Sequence, residues 1–451
     1  MKISFEDARV LVNAQLNIFS ASGIRERSGL DIITVCILLS YLNNKTPELT
    51  TDIAIKEDLV RLKDSNEISE DLANIFKKYI NLIPGFPSEI LGLDISDINR
   101  VQNKSFFRIL NEWNDFVDRN QVIWSYEEIL LLFDALETPV ENSYGSDSPF
   151  MTPKDVVKLI TSSLLINDNA KNIYDPFART GEFISEIGSL LNNGIKIVAS
   201  SLHNASLITA KLKMFMLQTS DVKWIRPINN TFIPDVSEKF DYIITNPPFG
   251  IKTNKRTGGE WTTEFNNGRS EIDFLCHILD HLSEAGNAAI LVPDGILSSG
   301  GKVESLRKKM IEEGILEAAI SLPPKMFYNT GVKAAILFLN KTKFNDRILL
   351  MDATSLGSKS KLKHNFSEAD ISSIVYIVDQ FRTNTKSTDS ISSVVSLNQL
   401  KENNYDLQCA SYLTESIYPE KTNSIASLLN ECNELEIAIK NVQANIARLL
   451  K

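Results

Sequence analysis

The chain has 451 residues, enough for two or three domains of ordinary size. With 43% apolar and 23% charged residues it has a globular balance, and it lacks the run of 18 apolar residues that a membrane span needs. A net charge of −10 argues against a protein that grips nucleic acid by overall basicity, so phosphate contacts would fall to a local basic patch or to a partner. The first seven residues do not read as a signal peptide. Cys36, Cys276, Cys409 and Cys432 lie far apart, with no CxxC pair, and the histidines are dispersed. No metal or disulfide framework is expected, and a reducing cytoplasm fits.

Residues 1–125 read as a helical domain. The segments 6–19, 30–42 and 68–82 carry apolar residues at spacings of three and four, with breaks expected at Pro47, at Pro84-Gly85-Phe86-Pro87 and near Asn99. The segment 126–356 reads as a second domain, and within it, from about residue 145, short apolar runs alternate with helical periods. Strands are predicted at 172–174, 195–200, 242–245, 288–292, 318–322 and 334–339. Helices are predicted at 154–165, 205–217, 271–283 and 302–313. That alternation means an α/β domain with a mostly parallel, doubly wound sheet. Ligands of such sheets lie beyond the carboxyl ends of the strands, so Asp175, Ser201, Asn246 and Pro293 should line one edge.

Residues 357–420 read as a connecting region, polar and rich in Ser, Lys, Thr and Asn up to about 395. The last segment, 421–451, places Ile425, Leu428, Cys432, Leu435, Ile439, Val442, Ile446 and Leu449 at alternating spacings of three and four. This is an amphipathic, coiled-coil-like seam. It could fold back on its own domain, but so narrow a stripe favours a partner helix.

Four constellations carry chemistry. The first, Pro149-Phe150-Met151-Thr152-Pro153, precedes a helix. The second, Asp175-Pro176-Phe177-Ala178-Arg179-Thr180-Gly181-Glu182-Phe183, follows a strand, and a third is the strand end near Ser201. The fourth is the turn Asn246-Pro247-Pro248-Phe249 after the apolar Tyr242-Ile243-Ile244. Its prolines fix their own φ and make the turn rigid. A planar amide beside a carbonyl can hold an exocyclic amino group by its two hydrogens, and Phe249 offers a flat face to an extruded base. Those are the tools for methylating an amino nitrogen of a nucleobase. The loop at 251–270 holds Lys252, Lys255, Arg256 and Trp261, basic and aromatic groups beside that turn, and is the candidate DNA-facing element.

Taken together and in this order, these motifs resemble the N6-adenine DNA methyltransferases, specifically the modification subunits of type I restriction–modification systems. The likeness runs from about Phe150 to Leu339 and, more weakly, to the C-terminus, and beyond the short motifs it includes Leu322-Pro323-Pro324-Lys325-Met326-Phe327 and Asn404-Tyr405-Asp406-Leu407. It implies a Rossmann-like, S-adenosylmethionine-dependent sheet and transfer of methyl to a flipped adenine of double-stranded DNA. It further implies work beside a specificity subunit and a second copy of the chain, with or without a restriction subunit.

The resemblance assigns Asn246, Pro247, Pro248 and Phe249 to catalysis. It assigns Phe150, Thr152, Pro153, Asp175, Pro176, Phe177, Thr180, Gly181, Phe183 and Ser201 to the cofactor. Two departures from the family pattern stand out. Arg179 and Glu182 replace glycines of the cofactor loop, and Ser201 stands where an acidic residue ordinarily holds the ribose. The acidic position before the strand at 242–245 is open among Asn229, Asn230 and Asp235. Two functions are therefore expected in order: a methyltransferase with a divergent cofactor site, and behind it a scaffold with a degenerate one. Other acceptors of NPPF-type enzymes are protein glutamine, guanine in RNA and, with serine for asparagine, cytosine N4.

Overall fold

The structure, a computed structural model, describes the chain apart from residues 1–2, 50–54, 101–102, 143–150, 165, 167–169, 189–194, 220–221, 228–232, 235, 254–257, 328–331, 343–345, 360–363, 384–389 and 414–451. The heptads of 421–451 and the positions Asn229, Asn230 and Asp235 lie outside the described residues.

Among the described residues, six α-helices open the chain: α1 (Phe5–Ala21), α2 (Glu26–Leu49), α3 (Ile55–Lys63), α4 (Ile68–Leu82), α5 (Asn103–Arg119) and α6 (Tyr126–Asn142). Ser4 caps α1 by accepting from the Asp7 amide, and α1 buries Ala8, Val12, Gln15 and Phe19 along one stripe. Buried Gln15 accepts from the Trp113 indole at 2.8 Å, which ties α1 to α5. The break expected at Pro47 is displaced: α2 continues to Leu49. A proline in a final turn removes one backbone bond without stopping the helix at its own position.

The α/β part follows in the predicted alternation: α7 (Lys154–Leu164), β1 (Asn172–Asp175), α8 (Glu182–Ile187), β2 (Lys196–Ser200), α9 (Asn204–Met216), β3 (Val222–Ile225) and β4 (Phe240–Thr245). Then come α10 (Glu260–Phe265), α11 (Ser270–His281), β5 (Leu282–Pro293), α12 (Gly295–Ser298), α13 (Lys302–Glu312), β6 (Leu316–Ser321), β7 (Ala334–Asn340) and β8 (Arg347–Asp352). A small ribbon, β9 (Ser358–Lys359) with β10 (His364–Asn365), precedes α14 (Glu368–Arg382), β11 (Ser392–Ser396) and α15 (Leu397–Glu402). Among the described residues the main sheet has nine strands, in the order β11-β8-β6-β7-β5-β4-β1-β2-β3. Within it β7 runs antiparallel to β5 and β6, β11 antiparallel to β8, and the remaining neighbours are parallel.

Strand alternation sorts the core into two faces. Tyr242 and Ile244 of β4 pack with α7 and α14, whereas Ile243 packs with α11 and α13. The N-terminal helices are not a separate layer. Their core continues into Ile184 of α8, Ile197 and Ala199 of β2, and Ile208 and Leu212 of α9. Ion pairs cross the same seam: Lys213–Glu137 at 3.2 Å, Lys154–Asp134 at 2.9 Å and Lys211–Glu89 at 2.6 Å.

Residues 357–413 are more than a connection. Strand β11 extends the main sheet, and α14 begins with a capping box of Ser367 and Asp370 and packs on α7. The buried Arg307 holds the end of this region by donating from Nε to the Tyr405 carbonyl at 2.6 Å, and from Nη1 to those of Ile296 and Ser299 at 3.0 Å.

Candidate active site

The register of the parallel strands brings the predicted positions to one edge. Asp175 lies opposite Ala199, and Tyr174 opposite Ile243, so the ends of β1, β2 and β4 are level. Asp175 and Thr245 join them: Thr245 Oγ1 donates to Asp175 Oδ1 at 2.8 Å, and the Phe177 amide donates to the same oxygen at 3.1 Å. Only 2% of Asp175 is exposed. Burial pushes its carboxyl up to about 7, against the pull of those two donors.

Asn246 leaves β4 with 3% exposure and donates from Nδ2 to Thr152 Oγ1 at 2.9 Å. The contact joins residues 94 positions apart and fixes the plane of the amide. Thr152, one of the cofactor candidates, thus also holds Asn246. Pro247 is buried, while Pro248 and Phe249 are half-buried at the rim. Gly250 completes the turn at φ 71.

The loop between β1 and α8 is tight. The Ala178 amide donates to the Ser200 carbonyl at 2.7 Å, and that of Gly181 to the Ala178 carbonyl at 2.5 Å. Gly181 has φ 78, which suits glycine. Arg179 has φ 47, a left-handed conformation that costs a side chain roughly 1–2 kcal/mol. Burial pulls its guanidinium below the ordinary arginine range, while Glu182 and Asp175 pull it back up. Asp175 Oδ2, Arg179 Nη1, Thr180 Oγ1, Glu182 Oε1, Ser200 Oγ and Ser201 Oγ are all buried without a hydrogen-bond partner. Each such atom costs about 1–3 kcal/mol if left unmet. Six on adjacent strand ends and the loop between them make a cradle that calls for a polar ligand. Its donors and acceptors suit a ribose and an amino-acid zwitterion, so these residues fit S-adenosylmethionine.

Other cofactor candidates divide between lining and core. Phe177 is buried against Phe274, with ring centroids 4.4 Å apart, in a small apolar group that includes Ile233, Leu202 and Ile251. Pro153 and Pro176 are buried at the loop bases. Phe183 points into the main core with Ile187 and Val157. Phe150 lies outside the described residues.

The candidate DNA-facing loop needs one correction. Trp261 is 4% exposed and stacks on Phe265, under Lys309 at 4.6 Å from its ring. Its helix, α10, is capped by Asp280, whose carboxylate accepts from the Trp261 and Thr262 amides at 2.9 Å. A Cβ on Gly259 would sit 2.3 Å from that carboxylate, so the close approach requires glycine. Trp261 therefore packs the loop and does not face DNA. Lys252 is exposed and its backbone pairs with that of Arg269 in an isolated antiparallel bridge, Arg269 being an exposed base that sequence reasoning missed because it lies at the loop's far end. Lys255 and Arg256 lie outside the described residues.

An amide-proline turn set against a polar cradle at the carboxyl edge of a mostly parallel sheet defines the amino-directed methyltransferase class. The chain belongs to the N-6 DNA Methylase family, whose model matches residues 127–421, more than half of its length. Among curated relatives, it is 23% identical over 380 residues to the type I restriction enzyme MjaIX methylase subunit of Methanocaldococcus jannaschii, covering 76% of this chain and 67% of that one. It is 26% identical over 328 residues to the HindI methylase subunit of Haemophilus influenzae, covering 64% and 72%. The match spans only 52% and 61% of two further relatives, the MjaVIII subunit and the MpnII subunit of Mycoplasma pneumoniae. In fold it is similar to the type I restriction–modification methyltransferase subunit from Streptococcus thermophilus, with TM-score 0.68 and 18% identity over 90% of this chain and 97% of that one. Among the described residues no helix is long and apolar enough to cross a membrane, and no cluster of side chains suits a metal ion.

Proposed function

We propose that this chain is the modification subunit of a type I restriction–modification complex and methylates N6 of adenine in double-stranded DNA. The observation that carries this reading is the Asn246 amide, held by Thr152 in a rigid proline turn and level with the polar cradle of β1 and β2. When bound, S-adenosylmethionine supplies an electrophilic sulfonium methyl. Asp175, Thr180, Gly181, Ser200 and Ser201 would hold it, with Phe177 and its apolar neighbours as a wall for the purine.

The chain's own residues do the rest by positioning. The Asn246 and Pro247 carbonyl oxygens accept the two amino hydrogens of adenine. This turns the nitrogen lone pair out of conjugation with the ring. Phe249 stacks on the extruded base and keeps it from returning to the helix. Holding both reactants in a near-attack geometry is worth up to ~7–11 kcal/mol. The proton can leave after transfer, so no side chain has to act as a base. Lys252 and Arg269 would meet the phosphates beside the flipped base.

The acidic balance leaves most phosphate contacts, and the reading of bases, to a partner. A specificity subunit would supply them, with a second copy of the chain for the opposite strand and, in some assemblies, a restriction subunit. The heptads at 421–451 are the proposed docking segment, and DNA as substrate sets the work in the cytoplasm. A second reading, a scaffold with a degenerate cofactor site, draws on the strained Arg179 in place of glycine. The test is transfer of labelled methyl from S-adenosylmethionine to duplex DNA by the complex, followed by digestion to nucleosides. N6-methyladenine as the labelled product supports the proposal. Label in another nucleoside or in protein, or no binding of S-adenosylmethionine with partner and DNA present, overturns it.

A further inference from the structure

Arg179 is the residue for which the motif gives no account. A glycine would meet no backbone penalty at φ 47, yet the chain carries a guanidinium there. The side chain is half-buried, and its Nη1 is buried without a hydrogen-bond partner. Two carboxylates, those of Asp175 and Glu182, act on it electrostatically, yet Asp175 Oδ2 and Glu182 Oε1 are themselves buried without a partner. Three charged groups are thus gathered on one loop, each retaining an unmet atom. A buried polar atom of a charged group that lacks a bonded partner is costly, and a ligand group of opposite charge relieves it. Space is available next to Glu182. Glu182 borders a cavity of about 460 Å³ between α1, α6 and the start of α7, which Met151, Thr152 and the Lys213–Glu137 pair also line.

We infer that Arg179 holds the α-carboxylate of S-adenosylmethionine and that Glu182 takes its α-ammonium. The inference rests on the cofactor reading above and deepens it. An α-amino acid presents one anion and one cation on adjacent atoms. Arg179 and Glu182 stand three residues apart at the end of the loop and the start of α8, with one unmet donor and one unmet acceptor. Guanidinium is suited to carboxylate because its planar donors match the two oxygens. The two departures from a glycine loop therefore act as one paired substitution. Side chains take over contacts that a glycine loop makes through its backbone, and the strain at Arg179 is the cost of that exchange.

The test uses calorimetric binding by the full chain of three ligands: S-adenosylmethionine, its decarboxylated form, and 5′-methylthioadenosine, which lacks the amino acid. The wild-type chain should bind S-adenosylmethionine at least roughly tenfold more tightly than the decarboxylated form, as a desolvated charge-assisted contact requires. Arg179→Gly should lose about 10- to 100-fold in affinity for S-adenosylmethionine and less than about threefold for the decarboxylated form. This variant relieves the positive φ, so a melting temperature at or above wild type separates lost binding from lost folding. Glu182→Gln should weaken both amine-bearing ligands alike and leave their ratio unchanged. Equal wild-type affinity for the carboxylated and decarboxylated ligands, or unchanged or tighter binding of S-adenosylmethionine by Arg179→Gly, overturns the inference and leaves the methyltransferase reading intact. Failure of the wild-type chain to bind any of the three, with partner and DNA present, overturns both.

Discussion

Replacing Thr152 by valine removes one oxygen and little else, and it separates two roles for this residue. In the structure Thr152 Oγ1 accepts from Asn246 Nδ2 at 2.9 Å, and both residues are buried. Valine keeps the shape and takes away the acceptor, so one buried amide hydrogen loses its partner. That costs about 1–3 kcal/mol, which the amide can recover only by rotating out of the plane in which it would accept from adenine. The same energy appears in the barrier: kcat should fall roughly 10- to 100-fold, at 1.36 kcal/mol per factor of ten. KM for S-adenosylmethionine should change little, because the lost contact orients the acceptor site. Thr152→Ser keeps the oxygen and should retain most of the rate. The assay is methyl transfer to duplex DNA by the assembled complex, with the cofactor varied at saturating DNA. A rise in KM for S-adenosylmethionine with kcat unchanged would refute the reasoning and assign Thr152 to the cofactor's methionine end.

Asp175 gives a pH signature. Its carboxyl is raised from 3.8 to about 7 by burial, so the folded chain binds a proton that the unfolded chain has released between those values. Stability should therefore fall as pH rises from about 4 to about 7, and Asp175→Asn should flatten that part of a pH series of urea midpoints. Binding a cationic ligand favours the ionised carboxylate, so S-adenosylmethionine should release up to about one proton near pH 6. Calorimetry in buffers of different ionisation enthalpy reads that proton, and a wild-type chain that releases no more than Asp175→Asn contradicts the assignment. Phe249→Ala should weaken binding of target duplex roughly tenfold, within the ~1–3 kcal/mol of one base–aromatic contact, whereas Phe249→Trp should not. Fluorescence of 2-aminopurine at the target position follows the same base and should lose its flipped-out signal in the alanine variant. Arg307→Met leaves three carbonyls without their donor and should lower unfolding stability by about 3–5 kcal/mol in urea titration; an unchanged midpoint would mean that the region ending near Tyr405 is held elsewhere.

Much of the site was legible because its strands are buried on both faces. Tyr242-Ile243-Ile244 is a continuous apolar run that can be little else, and the proline turn after it marks the strand end. Three strands of the main sheet escaped notice for opposite reasons. β3, with Lys223 exposed, and the serine-rich β11 are edge strands half open to solvent, which need no strong apolar pattern. β8 is well buried, and its apolar run Ile348-Leu349-Leu350-Met351 is short and lies where the alternating pattern gives way to the polar stretch after 356. The Thr152–Asn246 contact is a property of the folded register and leaves no local trace in the sequence. Trp261 misled because an aromatic among basic residues looks the same whether it faces DNA or packs beneath a lysine. The departures at Arg179, Glu182 and Ser201 were visible as letters. Only the structure shows that each carries a buried polar atom waiting for a partner.

The most direct test of the central claim is the adenine methylation of the source cell's own DNA. It would be read by sequencing in cells carrying the intact chain, cells lacking it, and cells carrying Asn246→Ala. N6-methyladenine at one defined sequence in the first and at none of those sites in the other two is the predicted result. The same methylated sites in the Asn246→Ala cells would contradict it.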